Sequence, residues 1–147
     1  MPKAKSKKAN PKHRSRKKPG AYAVGRRRTA SARVRLFKGK GETLVNNQPI
    51  EKYFPGETAK VQYQKPFQVT DTLGKFYATI KVVGSGKKGQ LDAVVHGLTR
   101  ALDNENKELY HSSLKKHKLL TRDARARERR KVGMGGKARR KRQSPKR

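Results

Sequence analysis

The chain has 147 residues, with 41 Lys or Arg against 10 Asp or Glu and a formal net charge of +31. That length allows a single domain, and the absence of cysteine excludes a disulfide framework, a thiol nucleophile and a Cys-based zinc site. No run approaches the roughly 20 apolar residues that a membrane span requires.

The charge divides the chain. Residues 1–20 carry nine cations and no acid, residues 21–40 seven and no acid, and residues 41–120 twelve against eight acids. Residues 121–147 carry thirteen against Asp123 and Glu128. The expected organisation is a disordered basic extension over 1–20, a globular domain over 21–120 and an extended basic tail over 121–147. Pro2, Pro11 and Pro19 interrupt any helix in the first segment, which has no apolar region of the kind a secretory signal contains.

In chain order, the run Gly25-Arg26-Arg27-Arg28-Thr29 comes first. It adjoins a strand predicted over Ala32–Phe37, where Val34 and Leu36 face one way and Arg33 and Arg35 the other. The five arginines Arg26, Arg27, Arg28, Arg33 and Arg35 are expected to share one surface, where each guanidinium offers phosphate a planar, two-pronged donor set. Gly39 and Gly41 end that strand, a second is predicted over Glu42–Asn46, and the two are expected to form a hairpin. Asn46-Asn47-Gln48 reads as a turn, and Pro49 limits further pairing. Pro55 lies near the start of a short helix over Glu57–Gln64, with Val61 as its apolar anchor and Pro66 as its stop. Phe67 and Val69 alternate briefly. The clearest strand is Lys75–Val83, with Phe76, Ala78, Ile80 and Val82 on one face.

The turn Gly84–Gln90 leads into the strongest helix, where Leu91, Val94, Val95, Leu98, Ala101 and Leu102 make one stripe. His96 and Arg100 fall on the opposite, solvent side, and Gly97 sits where close packing needs no side chain. A strand–GSGKKG–helix passage invites a mononucleotide site, but Gln90 stands where the phosphate-binding pattern needs Lys. The default reading is a tight turn; as an intermediate reading, Lys87 and Lys88, beside the free N–H groups of a helix start, can hold an RNA phosphate. A further helix is predicted over Glu108–His117 with Leu109 and Leu114 inward, Asp103 and Glu108 capping or pairing, and Leu119-Leu120 as the last apolar anchor. His13, His96, His111 and His117 show no metal-ligand spacing, and no catalytic constellation stands out. The tail cannot fold on itself, because its cations repel and only Val132 and Met134 offer sizeable apolar surface. It needs a polyanion, and regularly spaced phosphates put nucleic acid first.

Three segments carry a more specific signal in this order: GRRRTASARVRLFKGKGETLVNNQPIEKYFP, GSGKKGQLDAVVHGLTRAL and LLTRDARARERRKVGMGGKARRKRQSPKR. Together they resemble the universal small-subunit ribosomal protein number nine family in its bacterial form, across residues 21–147. The resemblance implies an α+β fold: a mixed four-stranded sheet with helices on one face and a left-handed βαβ crossover. It implies a place in the head of the small subunit, among neighbouring head proteins and bound to small-subunit rRNA, in the cytoplasm and without cofactor or enzymatic activity. The rRNA-binding residues expected in the domain are Arg26, Arg27, Arg28, Arg33, Arg35, Lys87, Lys88, His96 and Arg100. In the tail they are Arg122, Arg125, Arg129, Arg130, Lys131, Lys137, Arg139 and Arg140. Lys146 and Arg147 match the family's end residues, which imply contact with the anticodon stem-loop of peptidyl-site tRNA. The chain departs from the family's usual Phe-Ser at Ser144-Pro145, and has Val132 where an aromatic is common. Composition alone leaves a nucleoid-compacting DNA-binding protein as the alternative.

Overall fold

A computed structural model describes residues 20–135. Its elements run β1 (Ala21–Arg27), β2 (Ala30–Lys38), β3 (Leu44–Val45), β4 (Gln48–Pro49), α1 (Ile50–Tyr53), α2 (Glu57–Val69), β5 (Phe76–Val83), α3 (Lys87–Glu105) and α4 (Lys107–Lys116). The fold is α+β, but the sheet has five strands rather than four, in the order β1-β2-β5-β3-β4. The added strand is the two-residue β4, and the β3–β5 pair is the one parallel pairing among the described residues, reached through α1 and α2.

The expected hairpin between 32–37 and 42–46 does not form. β2 pairs antiparallel with β1 on one side and β5 on the other, and β3 lies on the far side of β5. Alternation specifies which face of β2 is buried, not which strands flank it. Asn46 and Asn47, at φ 48° and 65°, make the tight turn between β3 and β4. Pro49 pairs only at the sheet's edge, where its missing N–H is harmless. The Asn46 backbone N–H donates to Ile80 O at 2.9 Å. Its side chain then accepts from Val82 N–H at 2.9 Å and donates to Val82 O at 3.0 Å, so one amide imitates a further residue of strand.

α2 continues through Pro66 to Val69, beyond the predicted stop, and absorbs the brief alternation at Phe67 and Val69. Ala59, Tyr63, Pro66 and Phe67 lie toward the core at offsets 0, 4, 7 and 8, one helical stripe. Val61 is out of phase with it and 60% exposed, so it is not the anchor. An interior proline costs a helix about 3 kcal/mol; full burial of Pro66 against the core offsets that cost.

The alternation in β1, β2 and β5 buries one face of the sheet and leaves the other open. On the buried face Ala23, Val34 and Ile80 form one cross-strand row, and Gly25, Ala32 and Val82 the next. α3 lies over the small residues of β1. A Cβ at Gly25 would fall on the Ala93 carbonyl oxygen and the Gly97 nitrogen, and one at Gly97 would sit 2.7 Å from Val34 Cγ2. Backbone therefore meets backbone where the sequence placed Gly97 at the edge of the stripe. α2 and α4 pack beside α3. α4 begins at Asn106, whose side chain accepts from Leu109 N–H at 3.3 Å, and it buries Leu114 but leaves Leu109 66% exposed. Asp103 pairs with His111 at 2.9 Å. No helix among the described residues is long and apolar enough to cross a membrane.

Candidate nucleic-acid interface

Period two separates the arginines that the sequence places in one run. Arg26 is exposed, whereas the Arg27 side chain turns inward. The Arg27 guanidinium reaches Asp92 on α3 at 3.5 Å and Asp123 beyond α4 at 3.0 Å, and donates to the Arg125 carbonyl at 2.6 Å. Arg125 in turn donates to both carboxylate oxygens of Asp123, at 2.7 to 3.1 Å. Hydrogen bonds from the Arg125 side chain and backbone, with the Arg27 charge behind them, hold the Asp123 carboxyl well below the usual carboxylate range. The four groups tie the root of the basic tail to the domain. From Arg125 to Arg130 every residue is exposed and none lies in helix or strand.

His96 and Arg100 are less free than their position opposite the core stripe implies. β1 is an edge strand, and its outer backbone groups would otherwise be unpaired. Arg26 N–H donates to His96 Nδ1 at 3.3 Å, Arg100 donates to Val24 O at 2.6 Å, and Asn104 donates to Tyr22 O at 3.1 Å. The spacing explains itself. Four helical residues rise about 6 Å and two strand residues about 6.8 Å, so side chains at 96, 100 and 104 meet backbone at 26, 24 and 22. Burial first, and the Arg100 charge second, push the His96 imidazole below its ordinary 6.5, while a backbone hydrogen bond to Leu120 pulls the other way. Asn104 belongs to this ladder and its helical spacing is present in the sequence; the strand it serves is not.

Arg33 and Arg35 stand exposed on the open face, as alternation predicts. Arg28 occupies the two-residue turn between β1 and β2 with φ 51°, a conformation uncommon for a residue with a side chain. At the start of α3, Lys87 lies 3.4 Å from the Tyr53 ring centroid and Lys88 is exposed. Gln90, in the place of a phosphate-binding lysine, accepts from Tyr53 Oη at 2.9 Å and donates to Gly84 O at 3.0 Å, so it staples the turn. Arg122, Arg129, Arg130 and Lys131 are exposed along the tail. Lys137, Arg139, Arg140, Lys146 and Arg147 lie outside the described residues.

The class that this geometry defines is a strongly cationic α+β module whose basic C-terminal segment is tied to the domain at its root. The family model described as "Ribosomal protein S9/S16" matches residues 25–147, and the chain belongs to that family. It is a family of ribosomal proteins, hence of ribonucleoprotein components, and not of enzymes. The chain is also 49% identical over 115 residues to "Small ribosomal subunit protein uS9" of Maridesulfovibrio salexigens, covering 78% of this chain and 88% of that one.

Proposed function

We propose that this protein is a structural component of the small ribosomal subunit, seated in its head and bound to small-subunit rRNA during translation in the cytoplasm. The observation that carries the reading is the tail root. Arg27 fastens Asp123 and Arg125 to the domain, and the exposed cations that follow lead away from it. In this reading the domain over 21–120 docks by shape and phosphate contact through Arg26, Arg28, Arg33, Arg35, Lys87 and Lys88. Arg122, Arg129, Arg130, Lys131, Lys137, Arg139 and Arg140 order on rRNA, as does the extension over 1–20. Twelve extended residues span about 40 Å, enough to carry Lys146 and Arg147 to the backbone of the peptidyl-site tRNA anticodon stem-loop. Neighbouring head proteins complete the setting, and the left-handed hand of the β3–β5 crossover belongs to the same reading.

Two measurements test it. With about ten phosphates neutralised, log K for small-subunit rRNA should fall against log salt with a slope of about −7 to −9. A slope near zero, or equal affinity for duplex DNA, overturns the reading; the second result favours a DNA-compacting role. Ribosomes lacking Lys146 and Arg147 should assemble normally and lose peptidyl-site tRNA faster. An unchanged dissociation rate removes the tRNA contact.

A further inference from the structure

The open face of the sheet has a composition that folding alone does not explain. Its outward residues are Tyr22, Val24 and Arg26 on β1, Ser31, Arg33, Arg35 and Phe37 on β2, and Tyr77, Thr79, Lys81 and Val83 on β5. No acid stands among them. Arg33 and Lys81 are direct cross-strand partners, a like-charge pairing that opposes the sheet. Arg33, Arg35 and Lys81 have no ion pair among the described residues. An anionic partner would turn that repulsion into attraction.

The same face also presents rings. Tyr22 is 49% exposed and sits opposite Arg35, which sits opposite Thr79. Phe37 and Tyr77 stack with centroids 5.2 Å apart and an interplanar angle of 14°. The backbone of Gly41 supports Tyr77 from another side, since a Cβ there would lie 2.7 Å from Tyr77 Cγ. Tyr22, Arg33, Arg35, Thr79 and Lys81 enclose a half-open depression of about 500 Å³, a size that admits a nucleotide-scale ligand. Rings gather toward one end of the face and paired cations toward the other.

From this arrangement we infer that the open face is a stacking platform for unpaired nucleotides of RNA. Tyr22 takes a base, the Phe37–Tyr77 pair walls the site, and Arg33, Arg35 and Lys81 take the adjoining phosphates. Duplex RNA offers phosphates and ribose but keeps its bases stacked inside, so the rings would find nothing to meet. A single-stranded loop offers both chemistries. The inference rests on the reading that this chain binds rRNA, and adds which conformation of RNA one surface selects.

The test uses the full chain with two RNA probes of equal phosphate number, an unstructured single strand and a blunt duplex. Tyr22→Ala should weaken single-strand binding by roughly 5- to 150-fold, the range of one base–aromatic stack, and leave duplex binding unchanged. Tyr22→Phe should retain the wild-type preference. Neutralising Arg33, Arg35 and Lys81 to Gln should reduce the single-strand salt slope by about 2. Equal losses on both probes would leave only a phosphate-binding surface and overturn the platform. No loss on either probe, with the wild-type slope still steep, overturns the platform while rRNA binding stands. A flat wild-type slope defeats the underlying reading instead. If the three Gln substitutions abolish binding of polyglutamate but not of RNA, the face serves an acidic protein and the inference fails.

Discussion

The covered and open faces of the sheet arise from the same strands by the same alternation, yet they treat positive charge in opposite ways. On the covered side Arg27 meets Asp92 and Asp123, and Lys38 meets Glu105 at 2.6 Å, a bond that raises the Lys38 pKa. On the open side Arg33, Arg35 and Lys81 meet no acid among the described residues. The difference follows from solvation. A charge withdrawn from water, here the Arg27 guanidinium and the Glu105 carboxylate, must find a counter-charge inside the molecule, whereas a cation left in water can wait for a partner. The covered face therefore carries counter-charges of its own, and the open face leaves its cations to solvent.

Substitutions should divide along the same line. The largest effect is expected at Gly25→Ala, where the added methyl meets main-chain atoms of α3 that cannot rotate away. Overpacking of this kind costs about 3 kcal/mol or more, read as a lower midpoint in chemical denaturation. RNA affinity of the folded fraction should not change, and a loss of affinity would show that the two faces are coupled. Arg27→Met should cost about 1–2 kcal/mol. Removing one partner of a fully buried pair costs more, but Asp92 and Asp123 are partly solvated here, which reduces the penalty. Limited proteolysis between residues 123 and 131 should accelerate in that variant; an unchanged rate would mean that the tail root is held elsewhere.

A smaller effect belongs to His96. Its folded pKa lies below the unfolded 6.5, so the unfolded state binds protons first as pH falls. The stability it contributes is present above about pH 6.5 and declines as pH drops toward the lowered folded value. Melting wild type and His96→Gln from pH 5 to 8 isolates this contribution. The two curves should converge toward low pH, and parallel curves would refute it. The smallest change is expected on the open face, where Arg33→Gln should leave stability unchanged or raise it by about 0.2–0.5 kcal/mol by removing the Lys81 repulsion. A clear destabilisation there would show that the cation already has a partner within the chain.

How much of this was legible in the sequence depended on how purely each element displays its period. β5 and α3 were readable because large apolar residues mark their buried side in phase, Ile80 and Val82 in the strand and Leu91, Val94, Leu98 and Leu102 in the helix. β1 was not, since its inward residues are Ala21, Ala23, Gly25 and Arg27 while Tyr22 and Val24 point outward, so hydropathy runs against burial. The outward aim of Arg33 and Arg35 followed from period two. The inward turn of Arg27 obeys the same rule, but a run of three arginines conceals it, and its partners lie on distant elements. Pro66 misled because a general stop signal was locally outweighed by packing. The edge ladder of His96, Arg100 and Asn104 has visible helical spacing, but the strand it covers depends on pairing that periodicity does not encode.

The amide of Asn46 carries a liability of its own. Hydrolysis to a carboxylate would replace the group that donates to the Val82 carbonyl with an acceptor, setting oxygen against oxygen at the end of the parallel pair. A single chemical ageing event, adding one unit of mass and one negative charge, would then loosen the junction of β3 and β5. Aged protein sorted by charge should melt below fresh protein, with the lesion mapping to residue 46.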